Sequence, residues 1–250
     1  MQACGTRRSA HTCGGRLVAN HSGAAYKAHR IAVYKAMPVL SVLNQKGGVG
    51  KTTLATSIAT CLTEHGRRVL LIDADHQGSA LDWKAARGDL QSFPVVGLPR
   101  DTIHREIATL ANGYDWVIID GPPRISTVAK SAIAASDIVV IPVQPSPYDV
   151  WSAKDIVDLI TEVRVVKDDL IALFAVNRRI VGTAIGRDVE KALADYQIPV
   201  LKTVICQRVS FAESAAAGKT VLETEPTGQA AGEVRGLVAE IVELAEQGAS

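Results

Sequence analysis

The sequence predicts an α/β fold in which a mostly parallel, twisted sheet carries helices on both faces. Three observations predict it. Short apolar segments recur along the chain and alternate with segments of helical periodicity. Several of the apolar segments have no polar side, as expected for parallel strands buried on both faces. A glycine-rich turn lies between the first apolar segment and the first helix, at the end of a strand where open α/β sheets bind their ligands.

The individual elements follow from hydrophobic periodicity and from the residues that interrupt it. The segments predicted as strands are 38–43, 68–73, 115–120, 137–142, 170–176 and 200–205. The segments predicted as helices are 52–65, 101–112, 127–135, 151–166, 185–195 and 229–247. Gly66 is expected to end the first of these helices.

Composition excludes several classes of protein. The 250 residues are 47% hydrophobic, which is enough to bury a sizeable core. With only 3 Trp, 5 Tyr and 3 Phe, the chain lacks the aromatic residues for stacking on single-stranded nucleic acid. Four scattered cysteines do not form a disulfide framework, and no run of eighteen apolar residues could span a membrane.

The first 36 residues differ from the rest of the chain. They contain six basic and no acidic residues, whereas residues 37–250 carry a net charge of −5. They show no sustained apolar period and no hydrophobic segment of a secretory signal. We expect residues 1–36 to be a basic, disordered extension and residues 37–250 to form the folded domain, with an arm for nucleic acid or a transit peptide as the alternatives for the extension.

The strongest motif is the glycine-rich turn, which reads KGGVGKTT from Lys46 to Thr53. Glycines at Gly47, Gly48 and Gly50 allow the backbone to approach a phosphate chain and to turn its amides inward. Val49 completes the turn, and the amides at the helix start add favourable charge.

Two residues at the end of this motif have specific roles. Lys51 is expected to reach the β- and γ-phosphates, and the Thr52 hydroxyl is expected to bind Mg²⁺. The usual phosphate-loop pattern requires glycine at position 45, where this chain has Gln45, and the sequence instead carries an additional lysine, Lys46.

Residues 44–53 resemble the deviant Walker A motif of the ParA/MinD ATPases. The resemblance continues at 70–78 (LLIDADHQG), which is similar to the switch I segment of that family, and at 117–123 (VIIDGPP), which is similar to its Walker B segment. Residues 141–147 resemble its proline-rich stretch. The resemblance covers residues 37–250, with the small plasmid-partition ParA proteins most similar in length, and departs from the pattern at His76, where the family has proline.

Three aspartates at strand ends then acquire expected roles. Asp120 ends an apolar strand, where a buried carboxylate requires a partner such as Mg²⁺. Asp75 follows the second strand and is expected to polarise the attacking water. Asp73 lies within that strand and is expected either to fix the loop or to assist Mg²⁺ binding. Together with Lys51, these groups would supply the charge neutralisation and alignment that phosphoryl transfer needs.

The resemblance implies an ATP-dependent cycle. Lys46 would reach the phosphates of a partner subunit, so that ATP bridges a homodimer and hydrolysis releases it. Asn177, which follows a strand, would contact the adenine, with Pro145, Gln207 and Arg208 as weaker candidates.

The resemblance further implies non-specific binding of double-stranded DNA by the ATP dimer, a cytoplasmic, nucleoid-associated location, and stimulation by a ParB-like centromere-binding protein. Residues 178–219 contain seven basic and four acidic residues, which could form a basic stripe on the dimer. The candidates for phosphate contacts are Arg178, Arg179, Arg187, Lys202, Arg208 and Lys219. An ordinary mixed surface is the alternative.

Three other functions are weighed against this one. A MinD-like membrane ATPase would need a basic amphipathic helix at its end, whereas residues 232–250 contain four glutamates and one arginine. An iron–sulfur carrier would need converging thiolates, and residues 62–205 contain no cysteine. A scaffold without hydrolysis would have no need of Asp75 and Asp120.

Overall fold

The computed structural model describes residues 37–90, 92–181 and 185–248, together with Met1. The expectations for segment 1–36 therefore fall, apart from Met1, outside the described residues. Among the helices of the described part, none is both long and apolar enough to cross a bilayer.

The described residues form one six-stranded sheet whose strand pairs are all parallel, in the order β3-β2-β4-β1-β5-β6. The strands are β1 (Val39–Val42), β2 (Val69–Asp73), β3 (Val95–Gly97), β4 (Trp116–Asp120), β5 (Ile138–Val143) and β6 (Ile171–Val176). The helices are α1 (Lys51–Glu64), α2 (Ser79–Arg87), α3 (Ile103–Leu110), α4 (Thr127–Ala135), α5 (Pro147–Arg164), α6 (Ile185–Ala194), α7 (Val209–Ala216), α8 (Val221–Thr224) and α9 (Gln229–Gly248). The predicted fold class is confirmed.

The core consists of two apolar layers, one on each face of the sheet. Alternate residues of the central strands enter opposite layers: Val39 packs with α3–α6, whereas its neighbour Leu40 packs with α1 and α9. Strands β1, β2, β4 and β5 are buried along their whole length. The continuous apolar runs that predicted them reflect this burial on both faces.

The predicted strand at 200–205 is wrong. This segment runs beside β6 but makes only isolated bridges, Phe174 with Val200 and Arg179 with Cys206. Between the bridges, the carboxylate of Glu240 on α9 accepts the amides of Lys202 and Thr203, at 2.8 Å each. A side chain thus takes donors that a continuous ladder would have used.

The order of the strands places the phosphate-loop motif at the switch point of the sheet. β1 lies between β4 and β5, and the chain leaves β1 in one direction before it returns to β5 on the other side. The carboxyl ends of β1, β2 and β4 therefore meet at one edge, where Asp73 is paired with Asp120 and Asp120 with Val42. This edge is the expected ligand site of a doubly wound sheet.

Candidate nucleotide site

The turn from Lys46 to Gly50 joins β1 to α1, with Gly47 and Gly48 exposed and Val49 fully buried. No backbone amide from Gly47 to Thr53 donates a hydrogen bond to another described residue. The turn ends at Gly50, whose φ of 91° lies in the left-handed region that favours glycine. Free amides at the start of a helix form an anion site, as the sequence predicted for phosphate.

The two lysines of the turn occupy different environments. Lys51 is 7% exposed, and its Nζ lies 3.2 Å from the carbonyl oxygen of Lys46. Burial lowers the pKa of Lys51, while Asp120 and Asp75 act in the opposite direction. Lys46 is instead 41% exposed at its side chain and donates to Asp149 on α5, with Nζ and Oδ2 2.8 Å apart.

Asp120 is the residue best suited to hold a metal ion. It is 1% exposed, and neither carboxylate oxygen has a regular hydrogen-bond partner among the described residues. Burial raises its pKa to about 7; the nearby Thr52 hydroxyl and Lys51 ammonium oppose the shift, and Asp73 and Asp75 add to it. A buried carboxylate without partners, next to a hydroxyl, fits a divalent cation.

A metal here would depend on oxygen ligands from a bound phosphate. The described residues contain no cluster of three or more His, Cys, Asp or Glu side chains that could hold a metal ion by themselves. Mg²⁺ commonly binds through one or two protein groups, water and substrate phosphates. The pair formed by Thr52 and Asp120 fits that manner of binding.

Asp73 is occupied by backbone amides. Its Oδ1 accepts the amide of Asp75 at 3.1 Å, and its Oδ2 accepts those of Ala80 and Leu81 at 2.9 and 3.0 Å. The side chain therefore fixes the loop after β2 and caps the start of α2. Of the two roles expected for Asp73, these contacts favour loop fixation over Mg²⁺ binding.

Asp75 lies in the same loop and is partly exposed, with its Oδ1 accepting the amide of Gln77 at 3.0 Å. The adjoining His76 is exposed. The structure thus brings Asp75, Lys51 and Asp120 close enough to influence one another, because both aspartates act on the pKa of Lys51.

An open cavity of about 810 Å³ adjoins the turn and is large enough for a nucleoside. Asn177 lines it and is 4% exposed, and the exposed side chains of Ile180, Val181 and Val209 contribute apolar walls. Gln207 and Arg208, two of the weaker base candidates, also line it. Pro145 is not among the lining residues of this cavity.

The cations predicted to contact DNA differ in availability. Arg208 forms a two-pronged ion pair with Glu233 on α9, at 2.6 and 2.8 Å. Lys202 and Arg178 are exposed, while Arg179 and Lys219 are half-buried. The side chain of Arg187 lies outside the described part of the chain. The structure therefore disfavours Arg208 as a DNA contact, because its charge is already neutralised.

Sequence reasoning missed two polar residues at this site, Asp149 and Gln144, and one contact of the predicted residue Asn177. Asp149 holds Lys46, and the side-chain amide of Gln144 donates to the Gly48 carbonyl at 3.2 Å. The side-chain amide of Asn177, expected at the base, donates to the Val49 carbonyl at 2.7 Å. Gln144 and Asn177 each follow a buried strand, which was the available signal; nothing in the sequence distinguished Asp149 from other helical acids.

The fold and the site together define a phosphate-loop nucleotide-binding protein. Residues 40–221 match the family model described as "CobQ/CobB/MinD/ParA nucleotide binding domain". The chain therefore belongs to this family, and the recognised resemblance to the ParA/MinD ATPases is confirmed.

Curated relatives agree with this membership. The chain is 34% identical over 235 residues to the chromosome-partitioning ATPase Soj of Thermus thermophilus, covering 81% of this chain and 94% of that protein. It is 30% identical over 208 residues to the maintenance of carboxysome distribution protein A of Halothiobacillus neapolitanus, covering 81% and 95%.

Solved structures share the fold. Apo McdA of Cyanothece has a TM-score of 0.69 at 17% identity and covers 82% of this chain and 99% of that one. Cobyrinic acid a,c-diamide synthase of Mycobacterium smegmatis, with bound ATP analogue and magnesium, has a TM-score of 0.69 at 25% identity and covers 85% and 96%. The expected cofactors, ATP and Mg²⁺, are thus confirmed as those of ATPases of this family.

Proposed function

We propose that residues 37–250 form a partition or positioning ATPase that hydrolyses ATP to ADP and phosphate and moves or positions DNA. One observation carries the proposal: at the switch point of the sheet, amides that donate to no other described residue lie near Lys51 and near Asp120, a buried carboxylate without a regular hydrogen-bond partner among those residues. The amides and Lys51 suit a triphosphate, and Asp120 suits its metal ion. The similarity to Soj supports the cellular role.

The chemistry follows from the positions of the side chains. The amides from Gly47 to Thr53 bind phosphate oxygens, and Lys51 carries its positive charge toward the β- and γ-phosphates. Thr52 and Asp120 would hold Mg²⁺, which supplies charge neutralisation during phosphoryl transfer. Asp75, in the partly exposed loop after β2, orients the attacking water, and Asp73 keeps that loop in place through its amide contacts.

Lys46 connects nucleotide state to assembly. In the single subunit it pairs with Asp149, and its side chain remains 41% exposed. We infer that it leaves this pair in an ATP-bridged homodimer, where it contacts the phosphates of the partner subunit. ATP then favours the dimer because it binds more tightly to the dimer than to the single subunit.

Non-specific DNA binding by the dimer would use cations that are not already paired. Arg178 and Lys202 are exposed, and Arg179 and Lys219 are partly accessible. These groups, with Arg187, would contact phosphates without reading bases. The apolar walls of the cavity beside the turn would hold the adenine.

Contacts of the last helix argue against the membrane alternative. Val234, Leu237 and Ile241 in the apolar stripe of α9 are each at most 1% exposed and belong to the core on one face of the sheet. Glu233 and Glu240 on the same helix are engaged with Arg208 and with the 202–203 amides. These contacts argue for a role away from the membrane. On the similarity to Soj, we propose a cytoplasmic, nucleoid-associated protein that is activated by a ParB-like protein.

Release of phosphate tests the proposal. We expect slow hydrolysis of Mg–ATP that rises when double-stranded DNA and the product of the adjacent gene are added together. Light scattering should show a dimer with ATP and a monomer with ADP. Lys51→Ala serves as the inactive control, and folded wild-type protein that releases no phosphate under any of these conditions would contradict the proposal.

A further inference from the structure

The carbonyl groups of the phosphate-binding turn need hydrogen-bond partners within the protein. When consecutive amides face a ligand, the carbonyls of the same peptides face away from it and need partners of their own. In helices and strands those partners are backbone amides. In the turn from Lys46 to Gly50, the Gly50 carbonyl accepts the amide of Leu54 at 2.9 Å, whereas the carbonyls of Lys46, Gly48 and Val49 accept side-chain donors.

Three side chains supply these partners. Lys51 Nζ lies 3.2 Å from the carbonyl oxygen of Lys46, Gln144 Nε2 lies 3.2 Å from that of Gly48, and Asn177 Nδ2 lies 2.7 Å from that of Val49. Lys51 is charged and is expected to move to the phosphates when nucleotide binds. The two neutral amides have no such competing attraction, so their contacts can persist in the bound state.

The two amide donors are anchored to one another by the sheet. Gln144 directly follows β5 and Asn177 directly follows β6, and the backbone amide of Asn177 donates to the carbonyl of Val143 at 2.9 Å. The residues before them, Val143 and Val176, are paired in register. A rigid pair of strand ends thus carries both donors.

The side chain of Asn177 has a defined orientation. Its Oδ1 accepts the amide of Arg178 at 2.9 Å, which leaves Nδ2 directed at the Val49 carbonyl. Val49 is fully buried, so no water can replace the donor without rearrangement. A Cβ added at Gly50 would lie 2.5 Å from the same Nδ2, so the turn is also in close contact with Asn177.

We infer that Gln144 and Asn177 are positioning residues that hold the carbonyls of Gly48 and Val49 and thereby aim the turn's amides at the phosphates. The inference rests on the proposed function, since it concerns how the same turn binds a triphosphate. A positioning residue can be distinguished from a base contact. A residue that contacts only adenine changes the affinity for nucleotides alone, whereas a residue that aims the turn also changes the affinity for a ligand without a base.

The test compares Mg–ATP with Mg–tripolyphosphate in calorimetric titrations of wild type, Gln144→Leu and Asn177→Leu. Leucine removes the donor without adding charge near the phosphates. Each variant should bind both ligands about five- to tenfold more weakly than wild type, by a similar factor for each. Asn112→Leu makes the same type of change at an exposed position before β4 and should bind both ligands as wild type does.

Other outcomes overturn the inference. If Asn177→Leu loses affinity for ATP alone, Asn177 is a base contact and not a positioning residue. If both variants stay within twofold of wild type, the carbonyl contacts are irrelevant to binding. Should Asn177→Leu fail to fold, the half-exposed Gln144→Leu decides the matter. Failure of folded wild type to bind either ligand would instead contradict the proposed function and remove the inference with it.

A second readout follows the turn itself. In protein labelled with ¹⁵N-glycine, the amide signals of Gly48 and Gly50 should shift or broaden in both leucine variants and remain unchanged in Asn112→Leu. Unchanged signals in Gln144→Leu and Asn177→Leu would show that the turn keeps its geometry without the two donors.

Discussion

Lys46 Nζ and Asp149 Oδ2 are 2.8 Å apart, so the additional lysine of the phosphate turn is paired within its own subunit. The side chain of Asp149 is 2% exposed, and its Oδ1 has no hydrogen-bond partner among the described residues. Lys46 is therefore the main compensation for a buried negative charge. Any variant of Lys46 changes this pair as well as the proposed contact across the dimer.

The first prediction separates these two effects. Lys46→Ala should abolish the ATP-dependent dimer and also lower the free energy of unfolding by roughly 1–2 kcal/mol, a small value because the Lys46 side chain is 41% exposed. Lys46→Ala combined with Asp149→Asn should recover the stability and not the dimer. Thermal unfolding and light scattering with ATP check both parts; a dimer in the double variant would show that Lys46 acts only through Asp149.

The second prediction concerns Asp75. Because its carboxylate lies in the loop after β2 and, among the described residues, accepts a hydrogen bond just from the Gln77 amide, Asp75→Ala should leave the fold intact. Loss of a water-orienting group should slow phosphate release by about 100-fold or more while ATP binding stays near wild type. The ATP dimer should consequently persist longer. Hydrolysis at the wild-type rate would remove Asp75 from the mechanism.

How much of this site the sequence predicts depends on the kind of interaction. The turn, Asp75 and Asp120 were predictable because glycine spacing and strand-end carboxylates are local signals. The partners of Lys46 and of the turn's carbonyls were not, since Asp149, Gln144 and Asn177 lie about one hundred residues or more away and reach the turn only through the order of the strands. Local pattern does not encode that proximity.

The same distinction explains the errors in the fold. Segment 200–205 has the apolar character of a strand, but Glu240 on a distant helix takes two of its amides. Helix α2 and strand β3 were not predicted. Both are short: α2 has three buried residues, and β3 has none. Elements with little buried surface carry a weak periodic signal.

The third prediction uses the buried charge of Asp120. In the nucleotide-free protein its pKa is about 7 because of burial, against an ordinary value of 3.8. Between these values the folded state binds more protons than the unfolded state, so this group's contribution to stability is full below about pH 4 and declines as pH rises through 7. Without nucleotide or Mg²⁺, Asp120→Asn should therefore be more stable than wild type at pH 8, by a few kcal/mol, and nearly equal at low pH.

Thermal unfolding of both proteins from pH 4 to pH 8 in EDTA measures this difference. The variant should also lose Mg²⁺-dependent nucleotide binding. A stability difference that stays constant with pH would show that Asp120 does not titrate in this range.

The fourth prediction concerns DNA. Lys202 is exposed and its side chain forms no ion pair among the described residues, whereas Arg208 is neutralised by Glu233. Lys202→Ala should weaken DNA binding by the ATP dimer and reduce the slope of log K against log salt by about 1. Combined replacement of Arg208 by Gln and Glu233 by Gln should leave that slope unchanged. Binding that does not respond to salt in wild type would contradict phosphate recognition.

The fifth prediction tests the contact between Arg87, at the end of α2, and Gly218, in the segment before α8. Gly218 has a φ of 62°, and a Cβ built on it would lie 2.1 Å from the backbone nitrogen of Arg87. The Arg87 guanidinium in turn donates to the Gly218 carbonyl at 2.9 Å and pairs with Glu223 at 2.6 Å. Since backbone cannot move aside as a flexible side chain can, Gly218→Ala should destabilise the protein by roughly 3 kcal/mol or more.

Gly113→Ala is the matched control, because Gly113 also has a positive φ, 92°, and has nothing within 4 Å of an added Cβ. It should cost only the conformational strain, about 1 kcal/mol. Chemical denaturation of both variants provides the comparison, and equal losses would mean that conformation alone, and not close packing against Arg87, requires glycine at position 218.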